Sequence, residues 1–442
     1  MKIKDVFARE ILDSRGFPAV EAEITLEDGI KALGGVPSGS STGQSEAVEL
    51  RDKDNSRYFG KGVLKAIENI KGPIKQAITG QDAYDQRLID KIMIDLDGTE
   101  NKSRLGGNAI VGVSMAVCRA AARSQKIPLY EYFGKLSGNT KFIMPQPLVL
   151  VLEGGKHGNW STDCQEYFIV PKKETLGTFG ERIRVGTEIF HALGKILDNK
   201  GYAVGVGFEG AFMPKEMKSN EEAFQLMIEA TEKAGYKIGE QIVLGIDGAA
   251  SEFFLPADLS AKALASAEAS AKGGQEGKYV LKSEGGTVLA REEWMEKVIG
   301  WTKKYPLWSM EDMFAEEDWE SWTTFTSRLG NQIQIVGDDL LATNVKRIQK
   351  AIDLKAVNSV LIKLNQIGTV SATLDAIALA DKAGFTTIIS HRGGETNDDM
   401  IADLCVGTSS WQSKFGGPDR GERVAKYNRL LRIEERLGNK LT

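Results

Sequence analysis

Ser359-Val360-Leu361-Ile362-Lys363-Leu364-Asn365-Gln366 carries three apolar residues into a lysine and follows with a polar pair. A fully apolar run of this length reads as a strand buried on both faces, as in a parallel sheet. The lysine closing it either snorkels to the surface or is held at a site. Taken alone, snorkelling is the simpler reading. Other runs end in the same way. Ile242 to Ile246 ends in Asp247, and Leu307 to Met310 ends in Glu311-Asp312. Ile333 to Gly337 ends in Asp338-Asp339, and Thr386 to Ser390 ends in His391-Arg392. Five strand-like runs thus place an ionisable side chain at their C-terminal ends, with helical patterns between them. A (β/α) barrel builds its site this way, from groups that converge on one rim.

The chain has 442 residues, enough for a large barrel plus a second domain. Its 26% charged residues and net charge of -5, without a long Lys/Arg run, argue against nucleic acid as a partner. No stretch approaches the roughly 18 apolar residues of a membrane helix. Met1 to Asp5 leads into strand-like sequence without a secretory apolar core. The three cysteines, Cys118, Cys164 and Cys405, include no CxxC pair, which favours a reducing cytoplasm over a disulfide framework or zinc ribbon. With three histidines, a His-rich metal site is excluded, and a metal held by carboxylates would be a hard cation such as Mg²⁺.

Read in order, Ile3 to Thr25 alternates imperfectly between apolar and polar positions and suggests a hairpin or meander. Gly34 to Gly43 is a small-residue loop, either a surface connection or a lid over a ligand. Leu64 to Leu96 reads as two helices, and Asn108 to Ala122 as a third. An N-terminal α+β capping domain of residues 1–138 and a barrel of residues 139–442 are expected. Leu148 to Leu152 is the first barrel strand and ends in Glu153. Tyr167 to Val170 is the second, with Gln165-Glu166 at its beginning, which suggests that it runs against the rest. Arg182 to Leu197 reads as a helix. Gly205-Val206-Gly207-Phe208-Glu209-Gly210 is a literal GxGxxG, but Pro214 follows where a dinucleotide fingerprint needs a helix. Glycines that hold Glu209 in a sharp loop are the better reading. Ser219 to Glu222 has a capping-box spacing. Asp258 to Gly274 is biased in composition and reads as a surface insertion, partly helical.

Asp247, Glu311 and Asp338 come from three successive strands of the five. Gathered in one pocket they repel one another, and a divalent cation removes the conflict. The plain alternative is that each carboxylate caps a following helix. A lysine beside a cation has a lowered pKa, so Lys363 is a candidate general base for a weakly acidic α-proton. Glu166 and Glu209 could form an acid pair. Arg392 and Lys414 supply positive charge for a phosphate or second carboxylate.

Several segments resemble the enolase family over nearly the whole chain. They include Arg9 to Gly16, Pro37 to Gly43, Glu46 to Asp52, Gln165-Glu166, Lys218 to Ala223 and Ala249 to Phe253. Gly337 to Leu340, Asn365 to Thr369, Ser390-His391-Arg392 and Leu430 to Glu435 complete the set. The resemblance implies an α/β fold, an enolase-type (β/α)8 barrel with a reversed second strand behind an N-terminal α+β domain. It implies a phosphopyruvate hydratase, a carbon–oxygen lyase that dehydrates 2-phospho-D-glycerate to phosphoenolpyruvate in glycolysis. Lys363 would be the base and Glu166 with Glu209 the acid pair. Asp247, Glu311 and Asp338 would hold one Mg²⁺, and a second would arrive with substrate near Ser41. Ser41, His157, His391, Arg392 and Lys414 would bind the phosphorylated substrate. A cytoplasmic homodimer, or an oligomer built from dimers, is implied.

The chain departs from the family pattern around this site. Glu153 stands where the family has Asn, Phe208 where it has Asp, and Gly393 where it has Ser. Phe17 interrupts the family's DSRGNP pattern. Glu153 is expected to repel an anionic substrate unless Lys156 or a cation pairs with it. Phe208 is expected to dry the pocket and favour the neutral form of Glu209. Two further readings follow: a paralogue acting on a related phospho- or phosphono-hydroxyacid, and a non-catalytic binding protein on an enolase scaffold.

Overall fold

The computed structural model describes residues 1–39, 45–256 and 277–438. Ile3–Leu12 (β1), Pro18–Leu26 (β2) and Lys31–Gly35 (β3) form an antiparallel meander. Its imperfect alternation has a cause. The ladder shifts register between Ile3 and Asp5, so Ile3, Val6 and Ala8 all turn inward. The helix Gly107–Ser124 packs on β2 and β3, and its small Ala, Gly and Val side chains allow burial on nearly every face. The stretch read as two helices is a helical run from Leu64 to Ile78 and the helix Gln86–Asp97. The first contains a π-turn, Ile70–Ile74, around Pro73, which cannot donate a backbone hydrogen bond.

The second region is a closed barrel. Its strands are Gln146–Glu153 (β4), Glu166–Pro171 (β5) and Ile242–Asp247 (β6). A small antiparallel sheet follows β6, made of Phe254–Leu255 (β7), Lys278–Leu281 (β8) and Thr287–Ala290 (β9). The barrel resumes with Leu307–Glu311 (β10), Gln334–Gly337 (β11) and Ser359–Ile362 (β12). Thr386–Ser390 (β13) and Gln412–Lys414 (β14) complete it, and β14 closes on β4. β5 runs antiparallel to both neighbours, with Glu166 opposite Glu153 and Asp247. The reversal read from Gln165-Glu166 is therefore present. Leu148, Leu150, Phe168, Val170, Val336, Leu361 and Ile388 fill the interior. Truncating one of these leucines to alanine costs about 2–5 kcal/mol, because the enclosed site cannot collapse.

The expected helix after Ser219 is Asn220–Lys233, with the Ser219 hydroxyl accepting from the Glu222 N–H. The Asp258–Gly274 insertion lies outside the described residues. The three cysteines are buried and unpaired. Among the described residues, no helix is long and apolar enough to cross a membrane.

Candidate active site

A cavity of about 750 Å³ opens at the barrel end where the parallel strands begin, lined by Gln146, Val243, Trp308 and Gln334. Ionisable groups gather at the other end, in a cleft of about 40 Å³. Asp247, Glu311 and Lys414 close β6, β10 and β14, and Asp338, Lys363 and His391 follow β11, β12 and β13. The reversed β5 brings its first residue, Glu166, to the same rim. In the strand order, β5 and β12 stand four places apart in a barrel of eight. Glu166 and Lys363 therefore face each other across the mouth.

Two lysines divide the carboxylates. Lys414 Nζ lies 2.7 Å from Glu311, 2.9 Å from Glu166 and 3.1 Å from Asp247. Lys363 Nζ lies 2.5 Å from Asp338, whose other oxygen accepts from Gln366 at 3.1 Å. The three strand-end carboxylates are thus shared between two ammonium groups instead of standing uncompensated together. Burial draws the Lys363 ammonium down, but Asp338 outweighs it and holds its pKa above the ordinary value. A carboxylate is the lysine's nearest charge here, whereas the lowered pKa is expected of a lysine beside a bound cation. Burial and the Asp247 carboxylate push the Glu311 carboxyl well up, and burial with Glu209 does the same to Glu166. Four carboxyl groups, Glu166, Asp247, Glu311 and Asp338, surround two ammonium groups. The all-oxygen donor set suits a hard divalent cation, and such a cation would favour the charged forms of the carboxyls that crowding pushes up. Among the described residues, the groups whose ligand atoms all lie within 4.8 Å of one another are His157 with Glu166 and Glu209, and Asp312 with Asp338 and Asp339, so the expected Asp247, Glu311 and Asp338 set does not itself close that tightly.

Glu209 sits between two imidazoles. Its Oε2 lies 3.7 Å from His157 Nδ1 and 3.7 Å from His391 Nε2. Burial pushes its carboxyl up, but the two histidines and Arg423 outweigh that and hold it well below the ordinary range. This reverses the expectation of a neutral Glu209. Phe208 stacks edge-on against the His157 ring, with centroids 4.8 Å apart, and does not displace the imidazole from the acid. Of the two acids, Glu166 is the one that burial and the neighbouring carboxylate push toward its protonated form.

Glu153 also differs from expectation. Its carboxyl is fully buried, and Oε1 accepts from the N–H groups of Glu209 at 3.2 Å and Ala211 at 3.1 Å. Oε2 has no hydrogen-bond partner. Lys156 pairs with Glu252 instead. Burial and then the Glu209 charge raise the Glu153 carboxyl to about 8, so it is uncharged at neutral pH and does not repel an anion. Gly207 makes room for it, because a Cβ there would overlap the carboxyl. The GxGxxG segment opens no helix. It is the loop that holds Glu209.

Arg392 donates to Glu46 at 2.9 Å and Asn365 at 3.1 Å, so the N-terminal region contributes an acid to the cleft. Ser41, and with it the second cation, lies outside the described residues. The sequence reading missed Glu46, Asp312 and Arg423. Asp312, with φ 43, accepts the N–H groups of Asp338 and Asp339 at 3.0 and 2.7 Å and so shapes the turn carrying Asp338. The acidic pair Glu311-Asp312 was its only local signal. Glu46 and Arg423 gave none, because their partners are remote in the chain.

The enolase N-terminal domain family model matches residues 3–133, and the enolase C-terminal TIM barrel domain model matches residues 141–442. The chain belongs to the enolase family. These two domains make it an enolase-superfamily lyase. Among the departures from the enolase pattern, Glu153 and Phe208 are absorbed into the loop of Glu209, as described. Gly393 is different. It lines the cleft and offers no hydroxyl there.

Proposed function

We propose that this enolase dehydrates 2-phospho-D-glycerate to phosphoenolpyruvate with Mg²⁺. The observation that carries the reading is the placement of Lys363 opposite Glu166 across the barrel mouth, with Glu209 beside Glu166. An anti elimination needs a base on one face of the substrate and an acid on the other. Lys363 Nζ takes the C2 proton, the C2–C3 double bond forms, and the C3 hydroxyl leaves as water with a proton from the acid pair. Arg392 and Lys414 orient the phosphate and carboxylate, and His157 and His391 line the acid side. When bound by Asp247, Glu311 and Asp338, Mg²⁺ supplies positive charge where the substrate's carboxylate gains negative charge and beside the carboxylate that otherwise holds the Lys363 proton. A second Mg²⁺, held partly by Ser41, belongs to the same reading.

A spectrophotometric assay decides it. Phosphoenolpyruvate should accumulate from 2-phosphoglycerate with Mg²⁺ and stop in excess EDTA. No product at any Mg²⁺ concentration would end the proposal. One observation favours a paralogue acting on a related phospho- or phosphono-hydroxyacid: the hydroxyl missing at Gly393, since a hydrogen bond to a charged group contributes about 1.5–3 kcal/mol. Gly393→Ser should lower KM for 2-phosphoglycerate if that is the substrate, and leave it unchanged if the pocket serves another anion. A cytoplasmic homodimer is part of the reading, supported by exposed Phe59 and Leu12 in the N-terminal region and by three unpaired cysteines.

A further inference from the structure

Arg423 stands in the first turn of the helix Gly421–Leu437 and is fully buried. Its Nη1 lies 2.6 Å from His391 Nδ1 and 2.6 Å from the Arg392 carbonyl oxygen. Its Nη2 donates to the carbonyl oxygens of Phe208 and Gly393, each at 2.8 Å. All four Nη hydrogens are thereby engaged. A guanidinium has donors only and does not deprotonate in proteins. The ring nitrogen facing it must therefore accept, and the single proton of a neutral imidazole falls on the other nitrogen. An imidazolium would aim an N–H at an N–H. Gly416, with φ +87, leaves space for this stack, since a Cβ would come within 3.0 Å of His391 Cε1 and 3.1 Å of Arg423 Cδ.

We infer that Arg423 is a positioning residue that locks His391 as the neutral Nε2–H tautomer, aimed at Glu209. The inference deepens the acid-pair reading above and rests on it for its catalytic consequence. With Nε2–H fixed toward Glu209 Oε2, this acid stays charged, and its partner Glu166 keeps the proton. His391 cannot ligate a metal through Nε2 without moving a proton onto the nitrogen that Arg423 occupies. The other tautomer would turn a lone pair on the Glu209 carboxylate and draw a proton to it, inverting the roles of the two acids. The charged groups acting on His391 are Glu209, Arg423, Lys414 and Lys363. Burial first, and then the three cations, keep the ring's pKa well below the usual histidine range.

The chain has three histidines, His157, His191 and His391, so side-chain ¹⁵N spectra of the whole enzyme are readily assigned with single His→Gln variants. At neutral pH, His391 should show a pyridine-like Nδ1 and a pyrrole-like Nε2. An imidazolium or the Nδ1–H form in the parent protein overturns the inference. Arg423→Met should release the ring to mixed tautomers or to protonation, while Arg423→Lys, still an obligate donor, should restore Nε2–H. A Met variant that keeps pure Nε2–H also overturns it. If the Met variant does not fold, the parent spectrum and the Lys variant decide. With 2-phosphoglycerate, Arg423→Met should lose about tenfold or more in kcat with KM little changed. The spectra need no substrate. Correct tautomers in a protein inactive on 2-phosphoglycerate would sink the substrate reading alone, and an active protein with the wrong tautomer would sink this one alone.

Discussion

Lys363 and Glu153 show how a neighbour decides what a buried ionisable group does. Lys363 has its proton held by Asp338, so it acts as a base only where that hold is relaxed. Lys363→Ala should abolish exchange of the substrate's C2 hydrogen with solvent deuterium while substrate still binds. Exchange at the parent rate would remove the lysine from the mechanism. Glu153 has a folded pKa of about 8, above its ordinary 4.5. Between these values the folded protein keeps a proton that the unfolded chain has lost. Stability therefore falls as pH rises through this window, by at most roughly 1.4 kcal/mol per pH unit, and the loss is complete above the folded pKa. Glu153→Gln keeps the acceptor for the Glu209 and Ala211 N–H groups and removes the titration. It should melt higher than the parent above pH 8, with the margin shrinking toward pH 5. A margin independent of pH would mean that Glu153 is already charged.

At the scale of elements, the reversed β5 is held by its approach. Asn220, at the start of the helix Asn220–Lys233, accepts the N–H groups of Asp163 and Cys164, each at 2.9 Å, and the Tyr167 hydroxyl at 3.1 Å. Asn220→Ala would strand these buried donors, at about 2–4 kcal/mol in sum. The urea midpoint should fall with the slope unchanged, and an unaltered midpoint would show that water replaces the amide. The strands were legible in the sequence because a buried parallel strand is an apolar run with a polar end. β5 gave itself away because its acid precedes the run. The partners of those end groups were not legible. Lys414 among three carboxylates and Glu209 between two imidazoles depend on barrel closure, which no local pattern encodes. The direction read for Glu209 was wrong for that reason: Phe208 is its neighbour in sequence, but His157 and His391 are its neighbours in space.

For the molecule as a whole, a cation held by the carboxyl groups of the barrel mouth would add to stability. A ligand bound only by the folded state at a hundredfold over its Kd adds about 2.7 kcal/mol. Calorimetric melts should shift upward with Mg²⁺, and Asp338→Ala should lose most of the shift. Equal shifts in both proteins would place the ion elsewhere. The Glu46–Arg392 pair joins the N-terminal region to the barrel rim. It makes the two regions poor candidates for exchange between relatives. A hybrid whose grafted front half lacks an acid at position 46 would keep every side chain of the barrel, yet it would withdraw a carboxylate from a buried guanidinium that lines the cleft. Such a hybrid should fold and still present a more strongly attractive anion site than either parent, which couples the evolutionary histories of two regions that the chain's layout suggests could drift apart.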